Sequence, residues 1–543
     1  MPSHSASQAR VMLGLFSSRV LGLVREVLLA FVGGAGAATD VLAVAFRGPN
    51  LVQNLLGEQA LSASFVPVYS RFLAEGRARE ARRFAGAAFG ILALTAASLA
   101  LAGVVLARWL VIALAPGFHD DPVRFEAAID SMRLIFPMTA VLVLSSWCLA
   151  VLTSHRRFFL PYFAPVLWNA SLVGALVWLA CRPGTAPGVR ELVLIVSGAA
   201  LAGGVLQLVV QLPATLRLVG GLDPRPALAA PGVRPALRTF GPALLGRGVV
   251  QLSGWLDLIL GSWLATGALA ALNYAQRLHA LPLALFGTSF AVVDLPELAR
   301  MGNDQDAARR RVASSFAAAA FLTVPASVGL MLFGLPIVRA IYERGRFGSD
   351  ASWLVYGVLA AYSAGLLPTV ASRLRQNLFY AAGDTRTPAL VALGRVILAA
   401  SVGALLMLWL DRFEISELVG LDGGTTDSGA RAGAVGLAAG SALGAWFELW
   451  TLGYRLDRKY GAKAELPWAR ATMAGGLALG SSLPALGVWL LVPALPAVIL
   501  GPTLVVVFAS VYLGTGWGLR LPEARGLLGQ VAALAGRRGA GSP

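Results

Sequence analysis

The sequence predicts an all-α polytopic membrane protein with about 14 transmembrane helices. Three observations carry that prediction. Of 543 residues, 57% are hydrophobic and 13% charged, with a mean hydropathy of +0.71; soluble globular chains of this length do not reach that balance. Apolar runs of about 20 residues, long enough to cross a bilayer, recur from end to end. Basic residues gather in alternate connections between those runs, which is how membrane topology is written in sequence.

The runs begin near residues 9, 39, 85, 132, 159, 191, 238, 268, 313, 351, 388, 432, 470 and 496. The first, second and eighth are the least uniformly apolar. With the N-terminus inside, the inner connections hold Arg71 to Arg83, Arg156 and Arg157, Arg217 to Arg238, and Arg300 to Arg311. Next come Arg373, Arg375 and Arg386, then Arg455 to Arg470, and Arg520 to Arg538. Outer connections are poorer in basic residues and hold His119-Asp120-Asp121 and the glycine-rich, acidic insert from Arg412 to Arg431. Both termini are therefore expected in the cytoplasm. The first run contains arginines and no small-residue cleavage site, so no cleavable signal peptide is expected. Phe72 to Phe84 reads as a basic connection that sets topology, and the tail after Leu521 as a basic interfacial stretch. The net charge of +16 would suggest nucleic acid in a soluble chain; here the same residues set orientation. Cys148, Cys181 and four scattered histidines argue against a disulfide framework or a metal site.

The stretch from Ser17 to Arg71 breaks the apolar pattern with Arg19, Arg25, Glu26, Asp40, Arg47 and Glu58. A charge at mid-membrane costs about 3 kcal/mol, so such residues normally face water or a partner. Arg19 and Arg25 stand six residues apart, about 600° of helix, so their side chains point within roughly 120° of each other. They can line one side of a cavity at two heights, or snorkel to the interface. Arg47-Gly48-Pro49-Asn50 interrupts an apolar run, and a broken helix is expected there. Asp40 sits at the tight turn before the second run, where it can cap that helix or serve function. The second half, from about Leu237, carries Arg247, Asp257, Arg277, Asp294 and Glu297 in its own first two runs. Charged, interrupted spans at corresponding places in two halves point to a transporter core with a central site, leaving two spans beyond a six-plus-six arrangement.

No catalytic constellation, P-loop or dinucleotide loop is present, and no enzyme activity is expected. What remains is a set of guanidinium groups, Arg19, Arg25, Arg47 and Arg277, in or beside apolar spans. Arginine stays charged and grips phosphate or carboxylate with a two-pronged fork, so such a set suits a pyrophosphate or similar head group. Asp257 and Glu58 can act as counter-ions or hold a coupling cation. The plainer alternative is a set of buried ion pairs that only tie helices together.

These residues sit in short pieces that resemble the MurJ (MviN) lipid II flippase family of the multidrug/oligosaccharidyl-lipid/polysaccharide exporter superfamily. The pieces are Ser18 to Gly22 with Arg25, Gly36 to Asp40, Phe46 to Asn50, Glu58 to Ser62, Phe65 to Pro67, Ala115 to Phe118 and Phe163 to Asn169. They continue with Gln211 to Pro213, Gly241 to Ala243, Tyr274 to Leu278 and Phe379 to Pro388. The resemblance implies two six-helix lobes around a central cavity of alternating access (1–218 and 219–463), two extra helices forming a lipid-tail groove (464–520), and a cytoplasmic tail (521–543). It implies that Arg19, Arg25 and Arg277 are cavity arginines needed for activity and that Asp40 is a required aspartate. Arg47 falls at a usually basic position, and Glu58 at the family's acidic residue. Pro49 and Asn50 complete the interrupted motif in a supporting role.

The implied function is translocation of lipid II, the undecaprenyl-diphosphate-linked peptidoglycan precursor, from the inner to the outer leaflet of a bacterial cytoplasmic membrane. Membrane lipids, and the cell-wall synthesis machinery, are the partners this implies. Three positions depart from the family pattern: Gln53 and Asn54 replace usual arginines, and Gln59 replaces a glycine. They keep open a flippase for another polyprenyl-linked glycan; a cation-coupled drug exporter would need carboxylates in the first cavity. No cofactor is expected. Asp257 suits a sodium-type site, but the eleventh span offers Arg395 and no carboxylate before Asp411, so an Asp257–Arg395 pair is the expectation. Membrane potential, worth about 2.3 kcal/mol per charge per 100 mV, is the alternative drive to a monovalent cation.

Overall fold

The computed structural model describes residues 4–526 except 185, 222, 288–293, 295, 299, 302–303, 420–429 and 461–465. Half of the Arg412 to Arg431 insert (420–429), Lys463 and the tail beyond 526 lie outside the described residues. The described chain is helical, with one isolated bridge between Glu414 and Arg431. Nine of its segments are long and apolar enough to cross a membrane. The expected spans near 9, 39, 238, 268 and 432 are also helices but are not among those nine, and four of the five carry the charges singled out above.

Contacts divide the chain into two compact units, Met1–Ala270 with Arg344–Phe347, and Ala271–Glu343 with Gly348–Pro543. The first unit contains α1 (His4–Gly33), α2 (Ala37–Leu56), α3 (Glu58–Ala74), α4 (Ala78–Val105), α5 (Ala107–Leu114), α6 (Pro122–Ser154), α7 (Phe159–Cys181), α8 (Val189–Val219) and α9 (Val233–Gly261). Its hub is α6, which packs on α2, α3, α4 and α8. That helix starts where Asp121 accepts from the Val123 and Arg124 amides, at 3.1 Å each, with Pro122 preset for the first turn. Trp147 and Cys148 of α6 join Phe65, Tyr69 and Phe84 in a buried cluster. Phe65 stacks on Tyr69 and Phe84 with ring centres 5.1 and 5.0 Å away. Gly203 lets α8 approach α7, since a Cβ there would stand 2.9 Å from Ser171 and 3.0 Å from Trp168.

One expectation changes here. The run with Pro49 does not break at Pro49: α2 passes through it, and the chain breaks at Gly57, between Leu56 and Glu58. Gly57 turns away from helical geometry (φ −84°, ψ −150°), and a Cβ there would collide with the Gln53 carbonyl. By contact, α9 falls in the first unit. It packs on α2, α3, α4 and α5 of the first unit.

In the second unit are α10 (Ala268–Pro282), whose first turn belongs to the first unit, α11 (Gln305–Tyr342), α12 (Ser349–Ser363), α13 (Leu366–Ala381) and α14 (Arg386–Leu410). A short α15 (Ile415–Val419), α16 (Gly433–Tyr460), α17 (Trp468–Leu491) and α18 (Ala497–Gly518) complete it. The 38-residue α11 carries α12, α13, α17 and α18. Pro325 inside α11 has no N–H to give the Phe321 carbonyl four residues back. The Tyr512 hydroxyl of α18 donates to that carbonyl instead, at 2.8 Å. Against α14, helix α16 sets Gly436, Gly440 and Gly444, and Cβ atoms there would run into Leu406–Met407, Gly403 and Ala399. This four-residue glycine repeat is a close-approach stripe for antiparallel helices. Arg373 and Arg375, read from sequence as loop residues, lie inside α13, and Arg375 is buried with its Nη1 on the Leu449 carbonyl at 2.6 Å.

Candidate functional site

Arg19 and Arg25 both project from α1. Arg19 is exposed, whereas Arg25 is held by three groups. Its Nη1 donates to Asn169 Oδ1 at 3.0 Å, its Nη2 to Glu26 Oε1 at 2.6 Å, and its guanidinium lies over the Trp168 ring, 5.1 Å from the centroid. Asn169 and Trp168 are themselves fixed on α7, to the Pro165 and Ala200 carbonyls at 3.2 and 3.1 Å. The Arg25 fork is thus preoriented, with its charge balanced in part by Glu26.

Asp40 is buried at 1% exposure in the first turn of α2, but it does not cap that helix. Its two oxygens accept from the Gly267 and Ala270 amides, each at 2.7 Å. Those N–H groups belong to the first turn of α10, so Asp40 caps another helix. Arg124 stands 3.8 Å from Asp40, held by Asp121 at 2.7 Å and lying over Phe118. Two tight approaches set this arrangement. Gly267 (φ +94°) sits against the Ala35 carbonyl, and Gly34 (φ +63°) puts its α-carbon where a Cβ would lie 2.6 Å from the Arg346 carbonyl. The Arg346 amide donates to the Phe31 carbonyl at 2.9 Å. Both places where the chain leaves and re-enters the first unit on this side are therefore fastened to the α1–α2 turn.

Arg47 is half-buried, with its guanidinium against Gly254 of α9; Asp257 follows one turn later on the same face of α9. Pro49 is buried and Asn50 exposed. Glu58 is exposed at the start of α3, where the helix dipole favours a carboxylate. Arg277 is exposed on α10 in the second unit.

The pairing expected for Arg395 is corrected. Its Nη1 donates to Glu448 Oε2 at 2.6 Å, and Gln376 Nε2 donates to Glu448 Oε1 at 2.8 Å. Glu448 lies on α16, four residues past Gly444 on the glycine face; a search for a carboxylate along the eleventh span alone misses it. Asn169, Trp168, Arg124, Gln376 and Glu448 are the residues that hold the predicted ones, and none was singled out as a site residue from sequence.

The profile of the family described as Lipid II flippase MurJ matches residues 29–498. The chain belongs to that family. It is 33% identical over 386 residues to the Lipid II flippase MurJ of Burkholderia cenocepacia, covering 70% of this chain and 74% of the relative. A probable lipid II flippase MurJ of Rhizobium tropici is 34% identical over 381 residues, with 68% and 69% covered. The fold is that of the solved structure titled Lipid II flippase MurJ, inward closed conformation, with a TM-score of 0.67, 20% identity, and 93% and 99% of the two chains covered. An inward-facing multidrug resistance MATE transporter of the MOP superfamily aligns with a TM-score of 0.58 at 12% identity, covering 84% of this chain and 99% of that one. As a family member with many apolar helices, this chain is a multi-pass membrane protein of a transporter family.

Proposed function

We propose that this protein translocates lipid II across the bacterial cytoplasmic membrane by alternating access, with both termini in the cytoplasm. The family match across residues 29–498 carries this reading. The geometry is consistent with it: Arg19 is exposed on α1 and Arg277 on α10, and Arg25 is held by Asn169, Glu26 and Trp168. Arg19, Arg25, Arg47 and Arg277 act as diphosphate ligands in this scheme, and α17 and α18 accept the lipid tail. The Asp40 contact to α10 opens and closes once per cycle. Membrane potential acting on the cationic residues drives turnover, and cell-wall synthesis enzymes consume the product.

The test is complementation of a conditional lipid II flippase depletion strain, with membrane expression confirmed. Wild type rescues, and Arg19→Ala, Arg25→Ala and Arg277→Ala do not. Failure of a well-expressed wild type would shift the substrate to another polyprenyl-linked glycan, with Gln53, Asn54 and Gln59 as the cause.

A further inference from the structure

Helix α13 carries a polar stripe inside a segment apolar enough to cross a membrane. Thr369, Arg373, Gln376 and Tyr380 follow each other at spacings of four, three and four, so they share one face, and all four are partly or fully exposed. The neighbours Val370, Ala371, Leu374 and Phe379 are buried. A face of this kind cannot lie against acyl chains; it meets water or a polar ligand.

The charges along that face do not balance. Arg373 lies one turn before Gln376 on that face, and Gln376 shares the Glu448 carboxylate with Arg395. Both Glu448 oxygens are already taken, by Gln376 at 2.8 Å and Arg395 at 2.6 Å. Arg373 takes neither oxygen. Among the described residues it has no hydrogen-bond or ion-pair acceptor. Its neighbour Arg375 is different, spent on the Leu449 carbonyl and packed against Gly453. One positive charge with five N–H donors is thus left on a half-exposed face between helices, where low dielectric makes an uncompensated charge costly.

We propose that Arg373, with Arg395 beside it, forms an oxyanion-binding site in the second unit, and that Glu448 is the resident carboxylate with which the ligand competes for Arg395. The ligand chemistry is a phosphate or diphosphate group. Its assignment to the head group of the transported lipid, rather than to a free inorganic anion, rests on the flippase reading.

The experiment is calorimetric titration of the full-length protein in detergent with farnesyl diphosphate and, separately, with inorganic pyrophosphate. Arg373→Gln weakens binding about tenfold, the effect of losing one charge-assisted contact. Arg373→Lys weakens it less, and Glu448→Gln strengthens it by freeing Arg395, a gain that a purely structural role would not produce. Equal affinity in wild type and R373Q, or no binding by wild type, overturns the site. If R373Q cannot be purified, E448Q decides, and an unchanged affinity overturns it. Tighter binding of farnesyl diphosphate supports the lipid head group as occupant; equal affinity for pyrophosphate overturns that occupant. A wild type that binds through Arg373 yet fails complementation overturns the flippase reading and leaves this site standing.

Discussion

Glu448 meets the Arg395 guanidinium at 2.6 Å because three glycines at four-residue spacing bring their two helices together. Glu448 is 2% exposed and Arg395 32%. Removing one partner strands the other. Arg395→Leu leaves a buried carboxylate with only Gln376, and is expected to cost about 2–3 kcal/mol, below the usual cost for buried pairs because Arg395 is part-exposed. The double variant R395L/E448L should recover most of that loss. Thermal unfolding in detergent measures it, and additive losses would show that the pair is not coupled.

Gly440→Val should separate α14 from α16, since even one Cβ at 440 would meet the Gly403 backbone. The expected loss is about 1–3 kcal/mol of stability. The same change at Gly487, where a Cβ meets nothing within 4 Å, serves as the control in the same unfolding experiment.

Tyr512→Phe should leave the Phe321 carbonyl without a donor, at a cost of about 1 kcal/mol. Pro325→Ala restores an N–H four residues along α11, so the Tyr512→Phe penalty should shrink in that background. A double-mutant cycle reads the coupling; equal penalties in both backgrounds would reject the exchange of donors.

The apolar runs made the fold class legible, because a bilayer imposes length and hydropathy on every span. Arg25, Asp40 and Arg395 were legible as charges inside such runs. Their partners were not. Asn169 is 144 residues from Arg25, Gly267 is 227 from Asp40, and Glu448 is 53 from Arg395. Backbone amides such as those of Gly267 and Ala270 leave no mark in a sequence at all. Pro49 drew attention as a helix breaker, yet the break falls at Gly57, where close approach of the Gln53 carbonyl decides. Arg373 and Arg375 were assigned to a loop because basic residues near the Gly383–Pro388 turn look like topology signals, whereas α13 reaches to Ala381.

His155, just past the end of α6, stands 3.1 Å from the Tyr69 hydroxyl. Burial, helped by the Arg157 charge, pushes its pKa below the ordinary 6.5. The unfolded chain therefore takes up the proton first as pH falls, so this site's contribution is full above 6.5 and declines below it. Unfolding temperatures of wild type and His155→Gln should diverge less at pH 5 than at pH 8. A constant difference across that range would contradict the assignment.

Asp40→Asn keeps the size of the side chain but replaces one acceptor oxygen with a donor facing an amide N–H. Transport is expected to fall by at least about tenfold, in line with loss of a charge-assisted hydrogen bond, while membrane abundance holds. Asp40→Glu should also fail, because the two 2.7 Å contacts leave no room for an added methylene. Complementation scored against membrane abundance separates lost transport from lost protein.

The most direct test of the central claim is lipid II translocation itself. Cells depleted of their own flippase and expressing this protein are exposed to an outer-leaflet phosphodiesterase that cannot cross the membrane, and the cleaved fraction of lipid II is measured. The account predicts cleavage restored by wild type and lost with Arg19→Ala or Arg277→Ala at equal membrane abundance. Uncleaved lipid II with abundant wild-type protein, or cleavage undiminished in both arginine variants, would contradict it.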